Sequence, residues 1–385
     1  MDGLLPKREK LVWVTSIISI NLLLQIILSY RLWFSTVRDF PMVSAFAGLD
    51  LAGLGFLEYP LFAILLLSLV GLILKPEHSL PWLCFFLVSG VLILQDINRL
   101  QPWFYQMSLL LLLLFFTKKE KYLASSMLCF ALIATYFWSG FHKFNIYFVE
   151  DIFPWLFAPL GLEKFLTAQP QLGFLAATIE LLLALSLVWR TTRKLGVSLL
   201  LCFHGLILAL LGPFGHQWNV VVWPWNLAMM ALVYVLFFGA TDIWKSFGKQ
   251  LGRRPVLFIF ILLFGFFPAL NEFGYWDDPL SFKMYAGTHP EGSIFFYKKE
   301  EDCFPNYVKK DIFGKDRKRL VIDKWSFTEM NVAPYNAPRV LKRIGREICT
   351  CMKDSENSHF EVLTVSRWNR TEQYFDTQTC KDLLQ

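Results

Sequence analysis

A few residues in this chain could do chemistry, and most of them stand inside otherwise apolar sequence. The first group is Tyr136-Phe137-Trp138-Ser139-Gly140-Phe141-His142-Lys143-Phe144-Asn145, in which His142 and Lys143 close an apolar helical run. Burying an ionisable group at membrane depth is costly, so such a group is a functional candidate by default. A lysine in a dry pocket can lose its proton, because desolvation disfavours the charged form, and can then act as a general base. The competing reading is a lysine whose ammonium snorkels to the headgroup layer.

A second group lies further on. His204 interrupts a Leu-rich run, and Glu180 is a further ionisable group in an apolar segment. His216 follows in Gly212-Pro213-Phe214-Gly215-His216-Gln217-Trp218-Asn219, and Trp223-Pro224-Trp225-Asn226 opens the next run. Trp223 and Trp225 suit the wall of a large planar hydrophobic ligand, and equally suit an interfacial aromatic belt. Asp96, Asn98, Arg99, Gln101 and Trp103 form a third polar cluster, read either as a short surface loop or as lining of the same cavity. No phosphate loop, dinucleotide glycine pattern, serine elbow or metal-ligand motif appears, and no metal is expected.

The elements that must hold these groups follow from composition. Of 385 residues, 55% are hydrophobic and 18% charged, which excludes a purely soluble or disordered chain. Residues 1–270 hold 19 Lys+Arg and 13 Asp+Glu, a net of +6, whereas residues 271–385 hold 18 of each. Apolar runs recur near residues 11–30, 57–74, 80–95, 102–117, 122–141, 171–189, 195–212, 220–239 and 254–270. They are continuous rather than alternating, so they predict transmembrane helices, about nine in number. The first run reads as a retained span rather than a cleaved signal peptide.

Basic residues give an orientation. With the N-terminus cytoplasmic, the inner segments hold 14: Lys7, Arg8, Lys10, Lys75, Lys118, Lys119, Lys121, Arg190, Arg193, Lys194, Lys245, Lys249, Arg253 and Arg254. The outer segments hold five: Arg31, Arg38, Arg99, Lys143 and Lys164. Positive residues favour the cytoplasmic side, so nine spans put the C-terminal part outside. The same bias accounts for the net positive charge, and no nucleic-acid partner is expected.

Cysteine use agrees. Cys84, Cys129 and Cys202 stand in apolar runs and read as small buried hydrophobes. Cys303, Cys349, Cys351 and Cys380 all lie in the tail and read as two disulfides of an oxidising compartment, with three pairings open. Asn369-Arg370-Thr371 is a glycosylation sequon. Strands are expected near 292–297 and 361–365, with partly helical sequence at 325–345 interrupted by Pro334 and Pro338. The expected architecture is an all-α polytopic membrane domain over 1–270, followed by a small α+β extracytoplasmic domain over 271–385.

The segment Ser139-Gly140-Phe141-His142-Lys143-Phe144-Asn145 resembles the lysine-bearing segment of vitamin K-dependent gamma-glutamyl carboxylases, a Gly-x-Lys-Lys-Leu-Asp string. Lys143 takes the catalytic position, His142 replaces the preceding lysine, and Asn145 replaces the aspartate. Cys202-Phe203-His204 resembles the family's Phe-His helix, and Leu156-Phe157-Ala158-Pro159 its Leu-Phe-Ser-Pro. The likeness runs over much of residues 11–270 and extends to the broader horizontally transferred transmembrane (HTTM) group, whereas the tail is much shorter than the carboxylase's luminal portion.

The resemblance implies a membrane enzyme in which Lys143 abstracts a proton from a vitamin K hydroquinone or related quinol. It implies O2 and CO2 as co-substrates, and a glutamate-containing peptide or protein modified on the extracytoplasmic side. His204 then assists by hydrogen bonding, and His142, Glu180, His216, Trp223 and Trp225 are the candidate cofactor-binding residues. A related HTTM enzyme of different chemistry and a non-enzymatic scaffold or sensor are the alternatives.

Overall fold

Continuous apolar runs become helices because a helix satisfies every backbone N–H and C=O within one segment, which an apolar medium requires. The computed structural model describes residues 7–46, 48, 52–240, 242–244, 247–252 and 254–385. Two of the basic residues used for orientation, Lys245 and Arg253, lie outside the described residues, as do the side chains of Lys7, Arg8 and Lys249.

Among the described residues, nine principal helical segments occupy the apolar part: α1 Lys7–Leu28, α2 Glu58–Leu74, α3 Ser79–Gln95, α4 Pro102–Thr117, α5 Lys121–His142, α6 Gln171–Ser186, α7 Arg190–Leu211, α8 Val222–Phe237 and the mixed helical segment α9 Pro255–Phe273. Among the described residues, five of these are long and apolar enough to cross a membrane: Glu9–Leu28, Gly55–Leu74, Lys121–His142, Arg190–Leu211 and Pro255–Phe273. The remaining four expected runs, α3, α4, α6 and α8, form apolar helices of 16 or 17 residues. At 1.5 Å per residue they reach about 24 Å, short of a hydrocarbon core of about 30 Å.

Large apolar side chains cover the outside of these helices. Leu67, Leu74, Leu80 and Leu87 are each about 70% exposed, an arrangement suited to lipid rather than water. The same logic corrects the cysteine expectation: Cys129 is buried, but Cys84 is only half-buried and Cys202 is exposed. An apolar side chain on a lipid-facing helix need not turn inward.

The chain divides into two units, one comprising Met1–Gln25, Ile64–Leu87 and Pro102–Gly287, the other Ile26–Ala63, Val88–Gln101 and Thr288–Gln385. The first unit is helical. The second contains a five-stranded antiparallel sheet built from β1 Glu291–Tyr297, β2 Ile312–Phe313, β3 Arg317–Val321, β4 His359–Val365 and β5 Gln373–Thr379, in the order β2-β3-β1-β4-β5. The expected strands are β1 and β4, which pair with Ser293 opposite Glu361. Helices α10 Ile322–Met330 and α11 Pro338–Cys349 are separated by a segment containing Pro334, and Pro338 starts α11, where its missing N–H costs nothing. Ile322 from α10 and Leu341 from α11 approach Gly292 beside the Phe360 ring, and a Cβ on Gly345 would clash with that ring.

The tail cysteines form two disulfides, Cys303–Cys351 and Cys349–Cys380, with Cα–Cα distances of 5.7 and 5.1 Å. The third polar cluster is buried rather than a surface loop, and its residues are not among those lining the cavity of the helical unit. Asp96 pairs with Arg38 and Arg99 with Glu58, all four side chains fully buried. Arg99 also donates to the Leu92, Trp33 and Leu32 carbonyls, and Glu58 accepts the Ser35 N–H and hydroxyl. These charges are buried together with the partners that satisfy them, the condition under which buried charge is tolerated.

Burial holds the Asp323 carboxyl up at about 6; its neighbour Glu291 pushes the same way, while His289, 3.8 Å away, and Asn336 oppose it. The folded unit therefore binds more protons than the unfolded chain between about pH 4 and 6, and its stability falls as pH rises through that window. Pulse proteolysis of the tail should show wild type losing about 2 kcal/mol more than Asp323→Asn between pH 4 and pH 7. Equal losses would contradict the assignment.

Candidate functional site

Lys143 is the residue following the last turn of α5, and its position is set by a close helix contact. A Cβ on Gly140 would lie 3.0 Å from the backbone nitrogen of Leu181 in α6, so any larger residue would require this close helix contact to give by a few tenths of an ångström. The contact brings Lys143 Nζ to the Glu180 carboxylate at 2.9 and 3.1 Å. The ammonium also donates to the Ser139 hydroxyl at 2.8 Å and to the Ser139 carbonyl at 3.1 Å. That carbonyl is one of the orphan acceptors at a helix C-terminus, where a cation is favoured. The Lys143 and Glu180 side chains are only 11% and 5% exposed. Lys143 does not snorkel.

A second polar chain lies on the same face of α5. Tyr136, Ser139 and Lys143 are spaced i, i+3, i+7, the spacing of one helix face. The Tyr136 hydroxyl is 2.7 Å from His204 Nε2, and His204 Nδ1 is 2.8 Å from Asn226 Oδ1. Asn226 Nδ2 in turn donates to the Val222 carbonyl at 2.8 Å. Nearby, Trp225 Nε1 donates to Gln106 Oε1 at 2.7 Å, and Gln106 Nε2 donates to Thr135 Oγ1 at 3.1 Å.

Both chains open on one cavity of about 410 Å³ within the helical unit. Its polar lining is Thr135, Tyr136, Ser139, Lys143, Glu180, His204, Asn226 and Tyr285, and the rest is almost wholly apolar, including Phe148, Phe153, Phe157 and Trp225. Leu175, Ile179 and Leu206 line the cavity and are also 52%, 46% and 42% exposed. Residues that do both mark a mouth, so the cavity opens between α6 and α7 onto the apolar outer surface. Tyr285 holds φ at +53°, uncommon for a bulky residue, and its hydroxyl accepts from Asn219 Nδ2 at 3.1 Å. Burial pushes that hydroxyl up and keeps it neutral.

Of the residues singled out by sequence, Lys143, Glu180, His204 and Trp225 meet at this cavity. His142, His216 and Trp223 are not among its lining residues. His142 Nδ1 bonds Glu272 Oε1 at 2.9 Å. His216 stacks on Trp155 at 4.2 Å and bonds its carbonyl, and Trp223 Nε1 donates to the Trp218 carbonyl. Asp96, Asn98, Arg99, Gln101 and Trp103 do not line it either. Tyr136, Ser139, Asn226 and Gln106 were not selected. Asn226 and Gln106 carried a signal, since a lone amide in an apolar helix must find a partner.

The arrangement sets an amine, a carboxylate, an imidazole and several hydroxyls on the wall of an otherwise apolar cavity, groups able to exchange protons with an apolar molecule. No protein-family model, curated protein or solved structure matches the chain.

Removing one partner of the Lys143–Glu180 pair leaves a buried charge uncompensated. Glu180→Leu or Lys143→Met alone should cost roughly 3–5 kcal/mol in detergent thermal unfolding, and the double variant should recover most of it. Additive losses would show that the pair is not coupled.

Proposed function

We propose that this chain is a membrane enzyme resembling vitamin K-dependent gamma-glutamyl carboxylase, with Lys143 as its base. The observation that carries the reading is a buried lysine, paired to Glu180, facing an apolar cavity open to the lipid-facing surface. In this reading the apolar cavity receives the aromatic head of a quinol, and its chain leaves past Leu175, Ile179 and Leu206. Bound there, a vitamin K-type quinol would supply, with O2, the strong base needed to carboxylate a glutamate with CO2. The residues' own tasks are to bind, orient and exchange protons.

Lys143 Nζ, held against the Glu180 carboxylate and facing the cavity, is the group placed to take a proton from a ligand hydroxyl. Ser139 holds Nζ in place, and the Phe and Leu walls keep water from competing. In this reading nine helices span the bilayer, the N-terminus is cytoplasmic and the disulfide-bearing tail is extracytoplasmic. Arg38, Arg99 and Lys143 are buried in ion pairs and are not surface charge labels, which strengthens the bias toward the inner segments.

A related HTTM enzyme of different chemistry is the second reading. It is favoured by the cavity lining itself, whose groups handle protons without selecting a glutamate side chain.

Purified protein given reduced phylloquinone, O2, labelled bicarbonate and glutamate-rich peptides should yield labelled carboxyglutamate and quinone epoxide. Lys143→Ala should lower epoxide formation at least 100-fold. Epoxidation unchanged by that substitution would remove Lys143 from the chemistry, and epoxidation without carboxylation would favour the second reading.

A further inference from the structure

The hydrogen bonds around His204 fix which atom of that chain a ligand can reach. Asn226 spends its amide N–H on the Val222 carbonyl, so its Oδ1 faces His204 Nδ1 as an acceptor. His204 Nδ1 therefore carries the hydrogen, and Nε2 carries the lone pair. Tyr136 then donates its O–H to Nε2, 2.7 Å away. Both histidine nitrogens are engaged, and a ligand meets this chain through the phenolic oxygen of Tyr136, which retains acceptor capacity.

We infer that Tyr136 is a catalytic residue, the head of a Tyr136–His204–Asn226 proton relay that serves a second ligand hydroxyl, separate from the one at Lys143. This rests on reading the cavity as a site for hydroxyl-bearing aromatic lipids. The ligand O–H donates to Tyr136 Oη. As its proton transfers, Tyr136 passes its own proton to His204 Nε2. The ligand becomes an oxyanion, Tyr136 stays neutral, and the imidazole becomes imidazolium, with Nδ1–H still held by Asn226. The reverse motion returns the proton, and no oxidant or other reactant is needed.

Geometry gives the relay its ligand class. Tyr136 and Ser139, which anchors Lys143 Nζ, share one face of α5 and line the same cavity as Lys143. Two proton-handling stations on one cavity wall suit a single aromatic ring that carries two hydroxyls. Trp225 stands edge-on to His204 at 6.1 Å and closes the far side of the relay.

The test uses the full chain in lipid nanodiscs with 1-naphthol, a probe with one hydroxyl that gives up its proton on excitation only when an acceptor is at hand. In the Lys143→Met/Glu180→Leu double variant, where the other station is removed without leaving a buried charge unpaired, saturable binding should persist and bound probe should emit as naphtholate. Adding Tyr136→Phe or His204→Gln should lower naphtholate emission per bound probe at least five-fold. Unchanged emission in both the Tyr136→Phe and His204→Gln variants, or no saturable binding, would overturn the relay. Neither O2 nor CO2 enters this assay. Carboxylation lost with the relay intact would overturn the carboxylase reading alone, and carboxylation with no relay would overturn this inference alone.

Discussion

The contact between Lys143 and Glu180 is the constraint on which the candidate site depends. An ammonium among apolar helices is tolerable only if a carboxylate meets it and its remaining protons find acceptors. The α5–α6 approach at Gly140 supplies the first condition, and the Ser139 hydroxyl and carbonyl at the end of α5 supply the second. A larger residue at position 140 would press on Leu181 and Glu180 and push this close contact apart by a few tenths of an ångström. The glycine, the serine and the lysine thus form one device, although only the lysine is ionisable.

The chain contains a second solution to the same problem, and the contrast separates structure from function. Arg38, Asp96, Arg99 and Glu58 are buried as completely as Lys143, but their hydrogen-bonding groups are taken up by one another and by backbone carbonyls. Arginine suits that task, with five donors in a rigid fork and a charge it does not give up. Lys143 keeps a compact, proton-yielding group on the wall of a cavity with an apolar mouth. Saturated arginine pairs hold a fold together. A lysine pair beside an open volume is suited to exchanging protons with whatever fills it.

The helical character of residues 7–273 was legible because membrane-like runs are long and continuous, and the two predicted strands because they are apolar. Strand β3, Arg317-Lys318-Arg319-Leu320-Val321, and the exposed β5 carry too little apolar alternation to be seen. Within the site, residue type alone chose badly between neighbours. His142 is one residue from Lys143 and therefore about 100° around the helix, which takes it to Glu272 rather than to the cavity. The i, i+3, i+7 spacing of Tyr136, Ser139 and Lys143 was present in the sequence and picks out the correct face. What spacing could not give is the partner on another helix. Glu180 was visible as a buried acid, but its pairing with Lys143, and that of His204 with both Tyr136 and Asn226, exist only once the helices are assembled.

The most direct measurement is a ligand-bound structure of the full chain in lipid nanodiscs, prepared without oxygen and with reduced phylloquinone. The account requires the aromatic ring in the cavity, one oxygen within hydrogen-bonding distance of Lys143 Nζ, the other on Tyr136 Oη, and the phytyl chain leaving between α6 and α7. A cavity filled by an ordinary acyl chain, or a quinol bound elsewhere with no oxygen near Lys143, would contradict it.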